Sequence, residues 1–440
     1  MTQNKKAKIS KRAWIVIILL FLLTVISNAD KAVIGFASVP IMEELGLTPA
    51  QWGIVGSVFF LLYSISAIVV GGIADKIGTR TVIAWMVVVW SLVQFSTIFV
   101  SSFAYLLITR IILGAGEGPS YSLAMTAASK WLPKEKLGLG LTFVSIGGPF
   151  GVAISAPVLM YFIVNYGWRS AFITTGIIGV IWVVGWLLLA KESPEQSKES
   201  KVAEGDLQQV TVAGQSFKKF LFSKNFLLIA LCGFGTYWCF TVGLNWLPNY
   251  LENVRNIDDQ TLGYVVALPW ILIACSQLFF STVSDKFYAK TKNVVKSRVF
   301  VLGPILALSG IFYFVGTFMS SNILAIAFLS LALSLGCLTL VLGPAILVDF
   351  VDKKDIGKVQ GWFMALTSLG GIVGPYVTGR LVESTSNITD GFHLAFQVCA
   401  IILVICGLSA LLGVRPKKAQ NASEDSEGKE VNKTEEALNV

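Results

Sequence analysis

The sequence predicts an all-α membrane protein with twelve transmembrane helices in two six-helix halves. Three observations support this prediction: the apolar content, the spacing of the apolar runs and the placement of the basic residues. Of the 440 residues, 55% are hydrophobic and only 14% are charged, whereas soluble domains carry about 25% charged residues. So few charges cannot cover a water-facing surface, which excludes a soluble enzyme and a disordered chain.

Twelve apolar runs, separated by short polar stretches, make up most of the chain. A membrane-spanning helix needs roughly 20 apolar residues, and the runs have about that length. They cover residues 14–38, 52–74, 81–100, 104–127, 137–163, 170–190, 225–250, 261–283, 298–318, 322–348, 358–382 and 391–413. Residues 1–13, which include five Lys or Arg residues, resemble the start of a signal peptide. The apolar run that follows is too long for a signal peptide, so we predict that it is not cleaved and forms the first transmembrane helix.

The basic residues predict the orientation of these helices. Of 34 Lys and Arg residues, 29 lie in the N-terminus, in the connections after even-numbered runs or in the C-terminal tail. The opposite side holds only Arg169, Arg255 and Arg380. The positive-inside rule therefore places both termini in the cytoplasm.

A polar linker over residues 191–224 divides the chain into the halves 14–190 and 225–413. Residues 414–440 form a polar tail that we predict to be disordered. A weak repeat supports the division, because the pair Asp75-Lys76 ends the second run and a second Asp-Lys pair ends the eighth, 210 residues later. Two six-helix repeats around a central site are a common transporter architecture.

Four charged residues fall inside the apolar runs: Asp30, Lys31, Arg110 and Glu117. Each costs about 2.5–3.5 kcal/mol near the bilayer centre, so all four need compensation. Arg110 and Glu117 are two helical turns apart and share a face, and the run holding Asp30 and Lys31 reaches a similar depth. Two acids and two bases predict a neutral, water-lined pocket between the first and fourth helices.

Two interpretations of these charges stay open. Charged residues inside membranes usually mark substrate or proton pathways. The alternative is two structural ion pairs that only hold the first helix against the fourth. If an anion occupies the cation beside a buried carboxylate, the carboxylate favours its protonated form, and this would couple substrate to proton.

Polar residues at similar depth are candidates for contacting substrate hydroxyl groups. A buried hydroxyl requires a hydrogen-bond partner, which a sugar would supply. These candidates are Tyr63, Tyr237, Asn245, Thr367 and Ser368. For each of them, helix packing is an equally good explanation.

Other chemistry is not indicated. The six cysteines lie inside apolar runs without the spacing of a disulfide framework or zinc site, so we expect no metal and no cofactor. The glycine-rich segments follow no predicted strand, which argues against nucleotide binding. The basic residues lie in loops without interleaved aromatics, so we expect no nucleic-acid partner.

The segment Gly72-x-x-Asp75-Lys76-x-Gly78-x-Arg80 resembles the signature loop of the major facilitator superfamily. Three further segments resemble its anion:cation symporter family: Asn28-Ala29-Asp30-Lys31, Arg110-x6-Glu117-Gly118-Pro119, and Asn245-Trp246-Leu247-Pro248-Asn249-Tyr250. The likeness extends over residues 14–413.

This resemblance implies a symporter that imports small organic anions, such as the sugar acids hexonate and hexuronate, with protons as the coupling ion. It implies that Asp30 and Glu117 are the protonation sites, while Arg110 and Lys31 bind the substrate carboxylate. Lys31 is a departure, since the family usually has Arg there, and Lys lacks the planar two-pronged grip on a carboxylate.

The resemblance also implies a gate in the loop between the second and third helices. Asp75 and Arg80 would act there, with Asp285 at the equivalent place in the second half. Asp75 would face the start of the eleventh helix near Gly357, where a carboxylate is stabilised by about 0.3–1 kcal/mol.

We therefore expect a multi-pass, monomeric transporter in the lipid bilayer of a bacterial inner (plasma) membrane. An organophosphate antiporter is the nearest alternative, although such proteins use basic residues in both halves, and residues 225–413 offer none at mid-depth. A membrane sensor that binds without transporting is the other alternative.

Overall fold

A computed structural model describes residues 10–132, 136–191, 219–351 and 355–415. Over these ranges the regular secondary structure is helical. The principal helices, numbered along the chain, are α1 Lys11–Phe36, α2 Ser38–Leu45, α3 Pro49–Ile77, α4 Thr79–Ser96, α5 Phe103–Glu117, α6 Ser120–Trp131, α7 Leu137–Tyr166, α8 Trp168–Leu189, α9 Lys224–Asn253, α10 Asp259–Thr291, α11 Phe300–Phe318, α12 Asn322–Gly336, α13 Thr339–Val348, α14 Ile356–Ser384 and α15 Ile388–Gly413.

Each apolar run of the sequence overlaps at least one of these helices. Ten helical stretches in the described residues are long and apolar enough to cross a membrane. The runs 104–127 and 358–382 are not among the ten, and the first of them carries Arg110 and Glu117. The protein is thus an all-helical, multi-pass membrane protein, while the number twelve and the side of the termini stay predictions.

The fourth run of each half is broken, which the sequence analysis did not predict. Residues 104–127 form α5 and α6, which are separated after Glu117, and residues 322–348 form α12 and α13. Pro119 at the first break has no N–H group and cannot continue the backbone hydrogen bonds of α5. The first break therefore directly follows one of the four buried charges.

Glycines allow close helix packing inside each half. A Cβ atom on Gly151 of α7 would lie 2.3 Å from the Val25 carbonyl oxygen of α1, and one on Gly370 of α14 would lie 2.2 Å from the Phe234 carbonyl oxygen of α9. Such contacts require small residues. The glycines of the fifth and eleventh runs are therefore sites of close helix packing.

The two halves contact each other along the part of the helices that is predicted to face outward. A Cβ atom on Gly35 of α1 would lie 2.0 Å from the Leu244 carbonyl oxygen of α9, and one on Gly53 of α3 would lie 2.6 Å from the Pro375 carbonyl oxygen of α14. A Cβ atom on Gly263 of α10 would lie 2.8 Å from the Pro157 Cα atom of α7. Because these are backbone contacts, the halves are closed against each other on this side.

The short helix α2 is held to the loops of its own half by one arginine. Arg169 forms hydrogen bonds of 2.6 and 2.8 Å with the Glu44 carboxylate and one of 2.7 Å with the Val100 carbonyl oxygen. The Trp168 indole also donates to Glu44, at 2.7 Å. These donors, chiefly Arg169, lower the pKa of Glu44 below its ordinary value.

The predicted linker and tail fall mainly on residues 192–218 and 416–440, which lie outside the described residues. The division of the chain at the linker therefore stays a prediction.

Candidate functional site

The four charges inside the apolar runs are all buried, on α1 and α5. Lys31 Nζ of α1 lies 3.5 Å from Glu117 Oε2 of α5, and Glu117 is fully buried. The Ser27 hydroxyl, one turn before Lys31, accepts a hydrogen bond of 2.8 Å from Lys31 and donates one of 3.3 Å to Glu117. A buried ion pair bridged by a hydroxyl therefore joins the first and fourth runs.

Asp30 has a different partner, on α4. The Gln94 side-chain amide donates a hydrogen bond of 2.9 Å to Asp30 Oδ1, and both side chains are fully buried. Asp30 is therefore hydrogen-bonded inside the N-terminal half and is not part of the Lys31–Glu117 ion pair. The four charges do not form two matched ion pairs.

Arg110 of α5 is 1% exposed, and its guanidinium carbon lies 5.5 Å from the centre of the Phe172 ring. Its Nε and Nη2 atoms have no hydrogen-bond partner in the structure. Burying a charged group without partners is costly. Arg110 therefore has free donors whose natural partner is an anion.

A small cavity between the halves contains both cations. Lys31 and Arg110 are its charged residues, and the rest of its lining is Ile34, Val55, Gly56, Phe59, Phe60, Leu244 and Asn245. Its volume of about 10 Å³ holds about one water molecule. The arrangement suits recognition of a small anion, but the halves must separate before a molecule of sugar size can enter.

Three of the candidate polar residues lie around these cations. Lys31 Nζ is 5.2 Å from the centre of the Tyr63 ring, and Asn245 lines the cavity. Tyr237 packs edge-on against Phe60 across the two halves, with ring centres 5.6 Å apart. They are therefore close enough to contact a ligand at Lys31 after a modest separation of the halves.

Thr367 and Ser368 lie further along α14 and have different surroundings. Thr367 packs on Gly233 of α9, where an added Cβ would lie 2.2 Å from its hydroxyl oxygen. Ser368 accepts a hydrogen bond of 2.7 Å from Ser64 of α3. Thr367 thus contacts its own half, whereas Ser368 joins the halves.

The predicted gating residues lie at the opposite ends of the helices from the glycine contacts. Arg80 donates a hydrogen bond of 2.7 Å to the Leu187 carbonyl oxygen of α8, within its own half. Asp285 lies 3.6 Å from Arg298, which is also 3.7 Å from Asp349. Asp75 falls in the last turn of α3, but its side chain lies outside the described part of the structure, so its predicted contact near Gly357 stays a prediction.

Sequence reasoning missed Ser27, Gln94 and Phe60. Ser27 was detectable, because it lies four residues before Lys31 and therefore on the same helix face. Gln94 is the one amide in the run 81–100, a signal that a search restricted to charges overlooks. Phe60 has no signal that distinguishes it from other aromatic residues in the core.

The described residues contain no group of three or more His, Cys, Asp or Glu side chains arranged to hold a metal ion. The chemistry of the site is therefore built from two cations, two carboxylates and their neutral partners.

Comparison with known proteins identifies one family. The profile of the Major Facilitator Superfamily matches residues 20–297 and 293–439. The hexuronate transporter of Bacillus subtilis is 29% identical over 94% of this chain and 97% of its own length. A probable sulfoacetate transporter of Cupriavidus necator is 29% identical over 88% of this chain and 90% of its own.

A solved structure shares the fold. A bacterial homologue of the human lysosomal transporter Spinster, in an inward-facing and occupied conformation, superposes with a TM-score of 0.76 at 17% identity. The match covers 90% of this chain and 96% of the other.

Proposed function

Because the chain belongs to the Major Facilitator Superfamily, in the group of sugar-acid and anion transporters rather than enzymes, we propose that it is a proton-coupled symporter. It imports a small organic anion, preferentially a sugar acid, across a bacterial plasma membrane by alternating access. The profile match shows the family, the relatives support an organic anion as the substrate, and proton coupling is our proposal.

The observation that carries the proposal is the pair of cations between the halves. Lys31 and Arg110 line the same cavity, and two Arg110 nitrogen atoms lack a partner. A substrate carboxylate would satisfy these donors, and Tyr63 and Asn245 are near enough to bond sugar hydroxyl groups. The hexuronate and sulfoacetate relatives support a small organic anion as the substrate.

The Lys31–Glu117 pair supplies a coupling device. Glu117 is held by Lys31 at 3.5 Å, and a substrate carboxylate at Lys31 competes for that cation. Glu117 then becomes a buried carboxylate without its counter-charge, which favours the protonated form. Substrate binding thus recruits a proton, and the neutralised site can move as the halves rock.

The membrane potential would drive import if protons outnumber the substrate charge. Two protons with one monovalent anion carry net positive charge inward, which gains about 2.3 kcal/mol at −100 mV. Asp30 and Glu117 are the two proton carriers in this scheme.

The organophosphate antiporter is less well supported. A phosphate dianion calls for cations from both halves, but the C-terminal half contributes Leu244 and Asn245 to the cavity. Both cations of the cavity come from the N-terminal half.

The test is uptake into proteoliposomes with an inward proton gradient. Radiolabelled D-glucuronate, D-galactonate, sulfoacetate and glucose 6-phosphate are supplied to the wild type, to Arg110→Ala and to the control Arg380→Ala, which changes an exposed arginine paired with Glu383. We expect uptake of a carboxylate by the wild type and the control and none by Arg110→Ala. Exchange of the sugar phosphate alone would contradict the proposal, as would binding without uptake, which would indicate a sensor.

A further inference from the structure

Asp30 and its neighbour Lys31 face different surroundings. Lys31 and Arg110 line the cavity between the halves, whereas Asp30 is fully buried and does not belong to that lining. The partner of Asp30 is Gln94 of α4, also fully buried. A proton carrier at Asp30 must therefore change its protonation state inside the N-terminal half.

The Asp30–Gln94 pair leaves two oxygens unused. Gln94 Nε2 donates to Asp30 Oδ1 at 2.9 Å, while Asp30 Oδ2 and Gln94 Oε1 are buried and have no partner in the structure. An ionised carboxylate only accepts hydrogen bonds, but a protonated one also has an O–H donor. The amide has both a donor and an acceptor, so it can pair with either form.

The other neighbours of Asp30 do not offer this choice. Lys31 from α1 and Arg110 from α5 are cations and only donate hydrogen bonds, and Glu117 from α5 is the other charged group that acts on Asp30. From α8, the Thr175 hydroxyl faces the same carboxylate, but its hydrogen is donated to the Phe172 carbonyl oxygen at 3.0 Å, so towards Asp30 its oxygen can only accept. Gln94 is thus the neutral side chain that offers Asp30 both an N–H donor and a free acceptor.

We propose that Gln94 is a positioning residue that holds Asp30 in both of its protonation states. The amide N–H bonds the ionised carboxylate; when one proton from water binds Asp30, the new O–H donates to the amide oxygen. Asp30 can then gain and release a proton without entering the cavity. The inference rests on the proposed role of Asp30 as a proton carrier.

The variant Gln94→Met keeps the length of the side chain and removes both functions of the amide. The ionised form loses more than the protonated form, because a hydrogen bond to a charged group is about twice as strong as a neutral one. We therefore expect half-maximal substrate-driven proton uptake to move to higher pH by about one unit.

The matched control is Gln277→Met. Gln277 of α10 donates to the Cys337 backbone carbonyl oxygen at 3.2 Å and is not bonded to a carboxylate. It should leave the pH profile unchanged. An equal shift in both variants would show a general effect of losing an amide side chain and would overturn the proposal.

Infrared difference spectra of the full-length protein in lipid provide a readout that does not depend on transport. The carboxyl C=O band of protonated Asp30, identified by its loss in Asp30→Asn, should move to higher frequency in Gln94→Met and stay in place in Gln277→Met. An unmoved band in Gln94→Met would overturn the proposal. If Gln94→Met does not fold, Gln94→Asn, whose amide is one methylene shorter, is measured in the same way.

The two proposals fail in distinguishable ways. Unchanged proton uptake in Asp30→Asn would contradict the role of Asp30 as a carrier, and therefore this part of the proposed function. Lost uptake in Asp30→Asn together with an unchanged pH profile and band in Gln94→Met would contradict only the role of Gln94.

Discussion

Adding one methyl group at Gly35 should open the outward side of the protein. A Cβ atom there would lie 2.0 Å from the Leu244 carbonyl oxygen and 3.2 Å from its carbonyl carbon. Both are backbone atoms of the other half, so neither can move aside as a side chain would. The variant Gly35→Ala therefore forces the halves apart wherever this contact exists.

The added methyl group destabilises only the conformation in which the halves are closed on the outward side. Overpacking a well-packed contact costs about 1–3 kcal/mol, whereas the methyl group meets no obstacle from Leu244 once the halves have separated. A cost of about 2 kcal/mol shifts the equilibrium about 30-fold towards the outward-open form.

The shift can be measured with spin labels across the halves, placed at the exposed Tyr166 and Gln260 at the ends of α7 and α10. The long-distance population should grow in Gly35→Ala. Two controls isolate the effect: Gly151→Ala, whose methyl group would meet Val25 inside one half, and Gly185→Ala, which meets nothing within 4 Å. An unchanged distance distribution in Gly35→Ala, or the same change in Gly151→Ala, would refute the reasoning.

Three further predictions concern the charged groups. Lys31→Arg keeps the positive charge and should retain uptake, with a broader or altered preference among carboxylates because guanidinium binds them in a two-pronged manner; loss of all uptake would show that Lys31 does more than supply charge. Ser27→Ala removes the hydroxyl between Lys31 and Glu117. Losing this hydrogen bond weakens the Lys31–Glu117 pair, which competes with substrate for Lys31, by ~1 kcal/mol, so the half-saturating substrate concentration should fall about fivefold. A rise would be inconsistent with competition at Lys31. Glu44→Gln removes the exposed ion pair with Arg169, which contributes about 0.2–1 kcal/mol to stability. Arg169 lowers the pKa of Glu44 in the folded protein. The stability from this pair is therefore fully present above the ordinary pKa of a Glu carboxyl and is lost as the pH falls through the lowered pKa of the folded state. Thermal unfolding in detergent should therefore separate the wild type from Glu44→Gln at pH 7 but not in strong acid, and a difference that persists in acid would contradict the assignment.

The sequence was sufficient for the all-helical fold class and for the superfamily, and both are confirmed. Hydropathy could not show that the runs 104–127 and 322–348 are broken, because apolar residues continue on both sides of each break. Pro119 gave a local hint, but a proline inside a membrane helix is often tolerated. The cytoplasmic location of both termini, which the charge count predicts, stays a prediction.

The candidate site was only partly predictable, because pairing depends on how each helix is rotated. Subtracting loop charges correctly found four buried ones, and spacing placed Arg110 and Glu117 on one face. Spacing could not show that Lys31, rather than Arg110, lies beside Glu117. It also could not show that Asp30 turns towards Gln94, which is set by the position of α4.

Two candidate substrate residues show the same limit. Thr367 and Ser368 are neighbours in the sequence, but a helix turns by 100° per residue. Thr367 therefore packs on Gly233, while Ser368 meets Ser64 of the other half. Only the register of α14 against its neighbours separates these surroundings.

Proton movement with substrate tests the proposed mechanism most directly. Proteoliposomes that contain a pH-sensitive dye are supplied with D-glucuronate, D-galactonate or sulfoacetate, and internal acidification is recorded for the wild type, Glu117→Gln and the control Glu383→Gln. Glu383 lies at the end of α14 beside Arg380, away from the cavity. We expect acidification by at least one carboxylate in the wild type and the control, and its loss in Glu117→Gln with substrate exchange retained. Carboxylate uptake without acidification in the wild type, or undiminished acidification in Glu117→Gln, would contradict proton coupling through this carboxylate.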